Sequence, residues 1–212
     1  MRKLPFFIFL LLGFYLGKAQ VYQASIGQAG NTIQFWDVKL DPNDGGTVCV
    51  GSINSGFDGD LVIVKLNASR QISWQKKVVN SGEDIFNRVM VCSNGDYVAV
   101  GQFEVSGVTR AIATRINSTT GNVIWTSVTS ITSPGEYFSN VIETANHNIA
   151  IVGTDNQGVS GWTNGFITLL NSSGSTLWTK ESNYYAQSDE FYTISQLPNG
   201  NLVMGGRYWV GL

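Results

Sequence analysis

Histidine is nearly absent from this sequence, and the shortage argues against most familiar catalytic and metal chemistry. His147 is the single histidine among 212 residues. The usual zinc sites and Ser-His-Asp or Cys-His catalysis need histidine or clustered cysteine. His147 takes the place of a glycine that the other repeats have in a turn, so a hairpin position accounts for it. The stretch 41–45 has the composition of a calcium loop without its spacing. The sequence therefore predicts no catalytic residue, no metal site and no cofactor.

Cysteine is also scarce, with only Cys49 and Cys92. Export from the cell would permit a disulfide. In the repeat register given below, the two residues lie in strands of neighbouring repeats, where they could meet. Two small apolar side chains account for them equally well, and we favour that interpretation.

Basic residues and long apolar runs are few. Arg2 and Lys3 precede an apolar run of about 13 residues, 4–16, whereas a membrane-spanning helix needs roughly 20. We expect residues 1–19 to be a signal peptide, and the protein to be secreted or exported to the cell surface or periplasm. The remaining residues, 20–212, carry ten Lys and Arg against fifteen Asp and Glu. That balance disfavours nucleic acid and anionic membranes as partners.

What the sequence does contain is an internal repeat of about 50 residues. A strand-ending glycine recurs at Gly51, Gly101, Gly153 and Gly206. A tryptophan recurs at the same step, and so does a strand that ends in Asn. These landmarks define repeats at approximately 35–84, 85–136 and 137–190, with a partial copy at 191–212.

Each repeat is predicted to form four short strands. The first begins with an aromatic residue and ends in a two-residue hairpin turn such as Asn94-Gly95. The second and third strands are apolar on both faces, which predicts sheets covered on both sides. We therefore expect an all-β fold, a β-propeller-like array of about three and a half four-stranded antiparallel blades.

The segment 117–125, with Asn117, a Thr-Gly turn and Trp125, resembles the repeats of the pyrroloquinoline-quinone-like (PQQ-like) propeller superfamily. The resemblance covers roughly residues 21–206. Within that superfamily, the sequence looks most like the repeats of large secreted bacterial proteins that have a signal peptide and a propeller. It implies a propeller, and most members of that group have no assigned activity.

The fourth repeat ends after its first two strands, and 21–26 resembles a solitary fourth strand. A propeller usually has four to eight blades. We therefore expect an incomplete propeller, and a truncated sequence is the favoured explanation. Association with another chain that completes the ring is the alternative.

In an up-and-down blade, the connections after strands two and four open on one edge, here called the loop face, and the tight turns lie on the opposite edge, the turn face. Loops on rigid scaffolds often bind ligands. Six residues on the loop face are candidates for binding. Three are acidic, one near the start of the first strand in each of three repeats, and three are aromatic residues in the loops: Asp84, Glu136, Glu190, Trp162, Tyr184 and Tyr185. The acidic residues could instead cap backbone amides between blades, and the aromatics could be buried by neighbouring blades.

The predicted function is a secreted or surface-exposed, non-catalytic module that binds a glycan or protein through this loop face. The alternative is a propeller enzyme, a hydrolase or a quinone-dependent dehydrogenase. A vicinal cysteine pair is absent, and 172–178 only loosely resembles the Asp-box turn of sialidases. Carboxylates such as Glu136 and Glu190 could do acid/base chemistry. The sequence favours the reading that the protein is not an enzyme.

Overall fold

The computed structural model describes residues 32–55, 58–78, 82–129, 135–156, 162–182 and 188–209. The predicted signal peptide, the predicted strand at 21–26, and Tyr184 and Tyr185 lie outside these residues. The described chain is all β. None of its residues forms a helix long and apolar enough to cross a membrane.

The strands form three four-stranded antiparallel sheets and one two-stranded sheet, each in sequential up-and-down order. The first two blades contain β1 (Thr32–Leu40), β2 (Thr47–Ser55), β3 (Asp58–Leu66), β4 (Ile72–Val78), β5 (Ile85–Val91), β6 (Tyr97–Val105), β7 (Val108–Ile116) and β8 (Val123–Val128). The third blade and the partial fourth contain β9 (Tyr137–Glu143), β10 (Ile149–Asn156), β11 (Thr163–Leu170), β12 (Thr176–Glu181), β13 (Asp189–Gln196) and β14 (Leu202–Tyr208). The predicted propeller-like array of four-stranded blades is confirmed.

The strand-ending glycines are required by a close backbone approach within each blade. Gly101 pairs with Phe86, and a Cβ on Gly101 would lie 1.8 Å from the carbonyl oxygen of Ile85. The same pairing recurs in every blade, and a register shift follows the aromatic residue each time. A larger residue at this position would force the first two strands apart, which explains why the glycine repeats.

The core lies between blades. One cluster joins the first and second blades through residues such as Val50, Phe86 and Tyr97. A second joins the second and third blades through Val100, Phe138 and Phe166. The middle strands are buried on both faces, as predicted, whereas the outer strands β4, β8 and β12 are mostly exposed. Each blade is therefore stabilised mainly by its neighbours.

The recurring tryptophan fastens one blade to the turn of the next. The indole N–H of Trp74 donates to the carbonyl of Ser118 at 2.8 Å, and its ring lies against Gly121, whose φ is +69°. Trp125 repeats the contact with Ser172 and Gly174 one blade later. These two tryptophans therefore have the packing role that their shared repeat position suggests.

A buried ionic network lies on the turn face of the first blade. The Lys65 ammonium is 2.7 Å from Asp41 and 2.9 Å from Asp44, and the Tyr97 hydroxyl of the second blade donates to Asp41. Burial alone would raise the pKa of Asp41, but the hydrogen bonds from Lys65 and Tyr97 lower it to about 2. The Tyr97 hydroxyl and the contact of its ring with the Lys65 ammonium couple this network to the second blade.

Two details of the predicted connections are wrong. The turn between β5 and β6 is closed by a Cys92 N–H bond to the Asp96 carbonyl, which makes it a three-residue loop with Gly95 at φ +91° rather than a two-residue hairpin. The sequence also predicts a longer loop at 102–109, but this segment continues as strand: β6 and β7 meet at a tight turn, Ser106-Gly107, with both φ values positive. A right-handed twist favours that turn type.

Cys49 and Cys92 are both free thiols. Burial raises the pKa of both thiols, that of Cys92 to about 12. The two residues behave as the small apolar side chains that the sequence favoured.

Candidate functional site

The structure buries two of the predicted loop-face carboxylates between blades. Asp84 is fully buried and accepts the backbone N–H of Glu104 at 2.8 Å. Glu136 is fully buried as well, 2.8 Å from Arg110, and it accepts a hydrogen bond from the Thr129 hydroxyl. Glu136 therefore bridges the second and third blades, whereas Asp84 accepts from its own blade and donates its backbone N–H to the Gly59 carbonyl of the first. Both carboxylates are buried, and neither lines an open channel mouth.

The third predicted carboxylate, Glu190, is not the structural equivalent of the other two. Asp84, Glu136 and Asp189 each stand two residues before the aromatic that pairs with the strand-ending glycine. Glu190 follows Asp189 and is only partly buried, 2.5 Å from Arg207, and it accepts the Tyr192 hydroxyl. Its role in binding remains a prediction.

Glu136 belongs to a group of three carboxyls at the loop face, here called the carboxyl cluster: Glu136, Asp155 and Glu181. The ladders β9–β10, β10–β11 and β11–β12 place all three on the face of the third blade that packs on the second. Asp155 is fully buried, and its Oδ1 accepts the Asn164 N–H at 3.0 Å. Glu181 is exposed at the end of β12.

Burial and neighbouring charge raise the pKa of two carboxyls of the cluster. Burial, together with the charge of Asp155, raises the pKa of Glu181. Burial also raises the pKa of Glu136, and Asp155 adds to the shift while Thr129 and Arg110 oppose it. Neighbouring carboxyls whose environments separate their protonation states are the pattern used for acid/base catalysis. Of the three, only Glu181 is exposed to a ligand.

A cavity of about 450 Å³ opens at the loop face between the third blade and β13–β14. Its described lining includes Ser182, Asp189, Glu190, Arg207 and Tyr208. Tyr208 is 51 % exposed, and Trp162, predicted as a ligand-stacking residue, is 37 % exposed just before β11. The loop face therefore combines carboxyls, an arginine and exposed aromatic rings.

His147 does not form a catalytic triad on the turn face. Its Nδ1 lies 3.1 Å from the Ser93 hydroxyl and 3.2 Å from Glu143. A triad needs the acid and the nucleophile on different ring nitrogens, so contact of both with one nitrogen is unsuitable. Glu143 also accepts the Ser93 N–H, and the group joins the second and third blades. His147 has φ +59°, as its turn position requires.

Within the described ranges, no three His, Cys, Asp or Glu side chains are arranged to hold a metal ion.

Sequence reasoning missed Asp155, Glu181 and Asp189. Asp189 could have been found by counting two residues back from Phe191, as for the other repeats. Asp155 falls in the segment 154–163, which the sequence predicts as a loop, but it lies at the end of β10. Glu181 carries no repeat signal, because the other repeats have Lys77 and Val128 at its position.

No family model matches the sequence, and no curated protein matches it. A solved structure of an endo-arabinase from Bacteroides thetaiotaomicron is similar, with a TM-score of 0.43 and 11 % identity over 82 % of this chain and 68 % of that chain.

The prediction of a non-catalytic binding module, and of a protein that is not an enzyme, is contradicted by this comparison, because the similar structure is that of an enzyme. We therefore abandon that prediction. A likeness this distant identifies no residue and no substrate of the present chain. The activity proposed below rests on the geometry of the chain itself.

Proposed function

We propose that this chain is the propeller of a hydrolase that cleaves glycosidic bonds by acid/base catalysis on its loop face. The observation that carries the proposal is the carboxyl cluster, in which burial and the charge of the buried Asp155 raise the pKa of Glu181, at the exposed end of β12. Cleavage of a glycosidic bond requires a carboxylic acid that is still protonated near neutral pH, together with a second, ionised carboxylate.

In this proposal Glu181 is the general acid and donates its proton to the leaving oxygen of the sugar. Asp155 is a positioning residue: it is fully buried, so it acts through its charge on Glu181 and does not contact the substrate. Arg110 and Thr129 bind Glu136, and the positive charge of Arg110 reduces the electrostatic repulsion between Glu136 and Asp155.

Glu190 supplies the second carboxylate. It lies on the wall of the cavity between the third blade and β13–β14, and its charge is balanced by Arg207 at 2.5 Å and by the hydroxyl of Tyr192. An ionised carboxylate there can stabilise the positive charge that develops on the sugar ring, or activate the attacking water. Arg207 would lose part of its pairing to Glu190 as that charge develops.

The exposed aromatic rings favour a saccharide over other hydrolase substrates. Trp162 and Tyr208 are both more than one-third exposed at the loop face, near the strand ends that carry the carboxyls. Flat apolar rings flanked by polar hydrogen-bonding groups suit the faces of sugar rings.

The test is an assay of the purified chain on a panel of plant and bacterial polysaccharides and aryl glycosides, measured by reducing-end release. We expect Glu181→Gln to lower kcat at least about a hundredfold, the usual contribution of a general acid. Glu83→Gln is the matched control, because Glu83 is an exposed carboxylate on the same loop face and outside the cluster. Equal loss in both variants, or activity that survives in Glu181→Gln, contradicts the proposal.

We also propose that the protein is exported, and that its repeat is of the PQQ-like type. The basic start and the short apolar run at 4–16 support a cleavable signal peptide. The Thr-Gly turn and tryptophan of 117–125 support the repeat type. Expression with and without residues 1–19, followed by N-terminal sequencing of the secreted product, tests the export: cleavage before Gln20 is expected.

A further inference from the structure

Asp189 is a buried carboxylate that the structure leaves without a hydrogen-bonding partner. The residue is only 4 % exposed, and within the described chain neither of its carboxylate oxygens has a hydrogen-bond partner. It lines the cavity of about 450 Å³ between the third blade and β13–β14. A buried carboxylate without partners is costly, so it needs a compensating group.

The equivalent carboxylate one blade earlier, Glu136, shows which groups can compensate a buried charge at this position. Glu136 is the equivalent of Asp189, and two side chains of the preceding blade satisfy it. The guanidinium of Arg110 lies 2.8 Å from one carboxylate oxygen, and the Thr129 hydroxyl donates to the other. A cation and a hydroxyl therefore fill this position at the boundary of the second and third blades.

Both partners are changed at the boundary where Asp189 lies. The backbone pairing aligns Asn164 with Arg110, because each stands two residues before the partner of the strand-ending glycine. The backbone hydrogen bonds also align Ser182 with Thr129. The Ser182 N–H donates to the Gly165 carbonyl, and the Thr129 N–H donates to the Ala111 carbonyl at the equivalent position. Ser182 gives its hydroxyl to the Gly165 carbonyl, and Asn164 carries no charge. The acid is also one methylene shorter, which leaves space where the guanidinium would be.

The charges around the cavity favour a cation in that space. Arg207, the cationic residue among its described lining, is already paired with Glu190. Lys180 lies over the ring of Trp178, 5.4 Å from its centroid. Asp189 thus adds a negative charge that the neighbouring cations do not balance.

We infer that the Asp189 cavity is a binding site for a guanidinium or ammonium group, such as the side chain of an arginine or lysine in a peptide, which takes the place that Arg110 fills one blade earlier. The inference does not depend on the proposed role of Glu181, although the cavity is the one whose wall carries Glu190. The site gives the loop face a second specificity, for a cationic ligand.

The experiment measures binding of N-acetylarginine methylamide to the full chain by isothermal titration calorimetry. N-acetylcitrulline methylamide is the matched ligand control, because its side chain has nearly the same shape without the charge. We expect the arginine compound to bind at one site and the citrulline compound at least about tenfold more weakly, since a charge-assisted pair to a buried carboxylate is lost.

Three variants test the assignment. Asp189→Asn is isosteric and should weaken arginine binding at least about tenfold. Asn164→Arg should place a guanidinium in the cavity from within the chain, raise the Tm and abolish binding. Arg110→Ala should empty the equivalent position beside Glu136, so the stoichiometry should rise from one to two. Circular dichroism verifies that each variant is folded, and Asp189→Asn tests the site if either of the others fails to fold.

Equal affinity for the arginine and citrulline compounds would overturn the inference, as would arginine binding that Asp189→Asn leaves unchanged. Stabilisation by Ca²⁺ but not by the arginine compound would assign the cavity to a metal ion instead, and binding of neutral saccharides alone would assign it to the hydrolase substrate. Each of these last two results also overturns the inference.

Discussion

Replacement of Gly121 by alanine tests the contact that fastens the first blade to the second. Gly121 has φ +69°, where an L-residue costs about 1 kcal/mol. An added Cβ would also lie 2.7 Å from Cε3 and 2.8 Å from Cδ2 of Trp74, so the indole must move and its hydrogen bond to Ser118 must lengthen. Overpacking of this kind costs about 1–3 kcal/mol. We therefore expect Gly121→Ala to lower the free energy of unfolding by about 2–4 kcal/mol.

Gly107 is the matched control. Its φ is +78°, but an added Cβ would have no heavy atom within 4 Å. Gly107→Ala should therefore lose only the backbone contribution of about 1 kcal/mol. With a urea m-value of about 2 kcal/mol/M, the two variants should differ in midpoint by about 0.5 M or more.

Urea unfolding followed by tryptophan fluorescence measures both variants, and the double variant Trp74→Phe/Gly121→Ala tests the mechanism. If the indole causes the additional cost, the two changes are non-additive, and alanine at 121 costs less when Trp74 is absent. Equal midpoints for Gly121→Ala and Gly107→Ala would refute the reasoning, because backbone strain alone would then explain both.

Of three further predictions, two concern charged groups and the third concerns a packing contact. Lys65 and Tyr97 lower the pKa of Asp41 to about 2, below its unfolded value, so Asp41 contributes stability above about pH 4. In acid unfolding, the free energy of unfolding should fall by about 2 kcal/mol as the pH falls from about 4 to about 2. Lys65→Met should flatten that pH dependence. Arg110→Ala should lower the free energy of unfolding in urea by about 3 kcal/mol, because Glu136 loses the guanidinium that offsets its burial. Arg88 is exposed, so Arg88→Ala should change the free energy of unfolding by less than about 0.5 kcal/mol. Equal effects of the two variants would contradict the role of the buried pair. Phe191→Ala should loosen β13–β14 from Gly165 and expose the amides of these two strands to hydrogen exchange before those of β6 and β7, and simultaneous exchange would contradict this.

The blade architecture was predictable because its determinants repeat. The close approach of Gly101 to the β5 backbone, and the packing of Trp74 on Gly121, recur at one spacing, so the period revealed the glycine and tryptophan positions, though not their contacts, without a structure. Turn geometry was less accessible, since Asn94-Gly95 is compatible with both a two-residue and a three-residue hairpin.

The site was only partly predictable, because it depends on departures from the repeat. Asp84 and Glu136 were found, but Glu104 reaches Asp84 only when β5 and β6 pair, and Arg110 reaches Glu136 only when two blades pack. The raised pKa of Glu181 depends on burial and on Asp155 two strands away, and Asp189 lies unpaired within the described chain opposite Asn164, where the preceding blade boundary has Arg110. Such relations between strands and between blades leave no trace in composition or periodicity.

The pH dependence of kcat/KM for the chain and for Asp155→Asn tests the proposed catalytic role of Glu181 most directly. Because burial and the charge of Asp155 raise the pKa of Glu181, the wild-type rate should fall on the alkaline side as Glu181 loses its proton. Asp155→Asn removes that charge and should move this limb to lower pH, while Glu181→Gln should remove it. An alkaline limb at the same pH in wild type and Asp155→Asn would contradict the account.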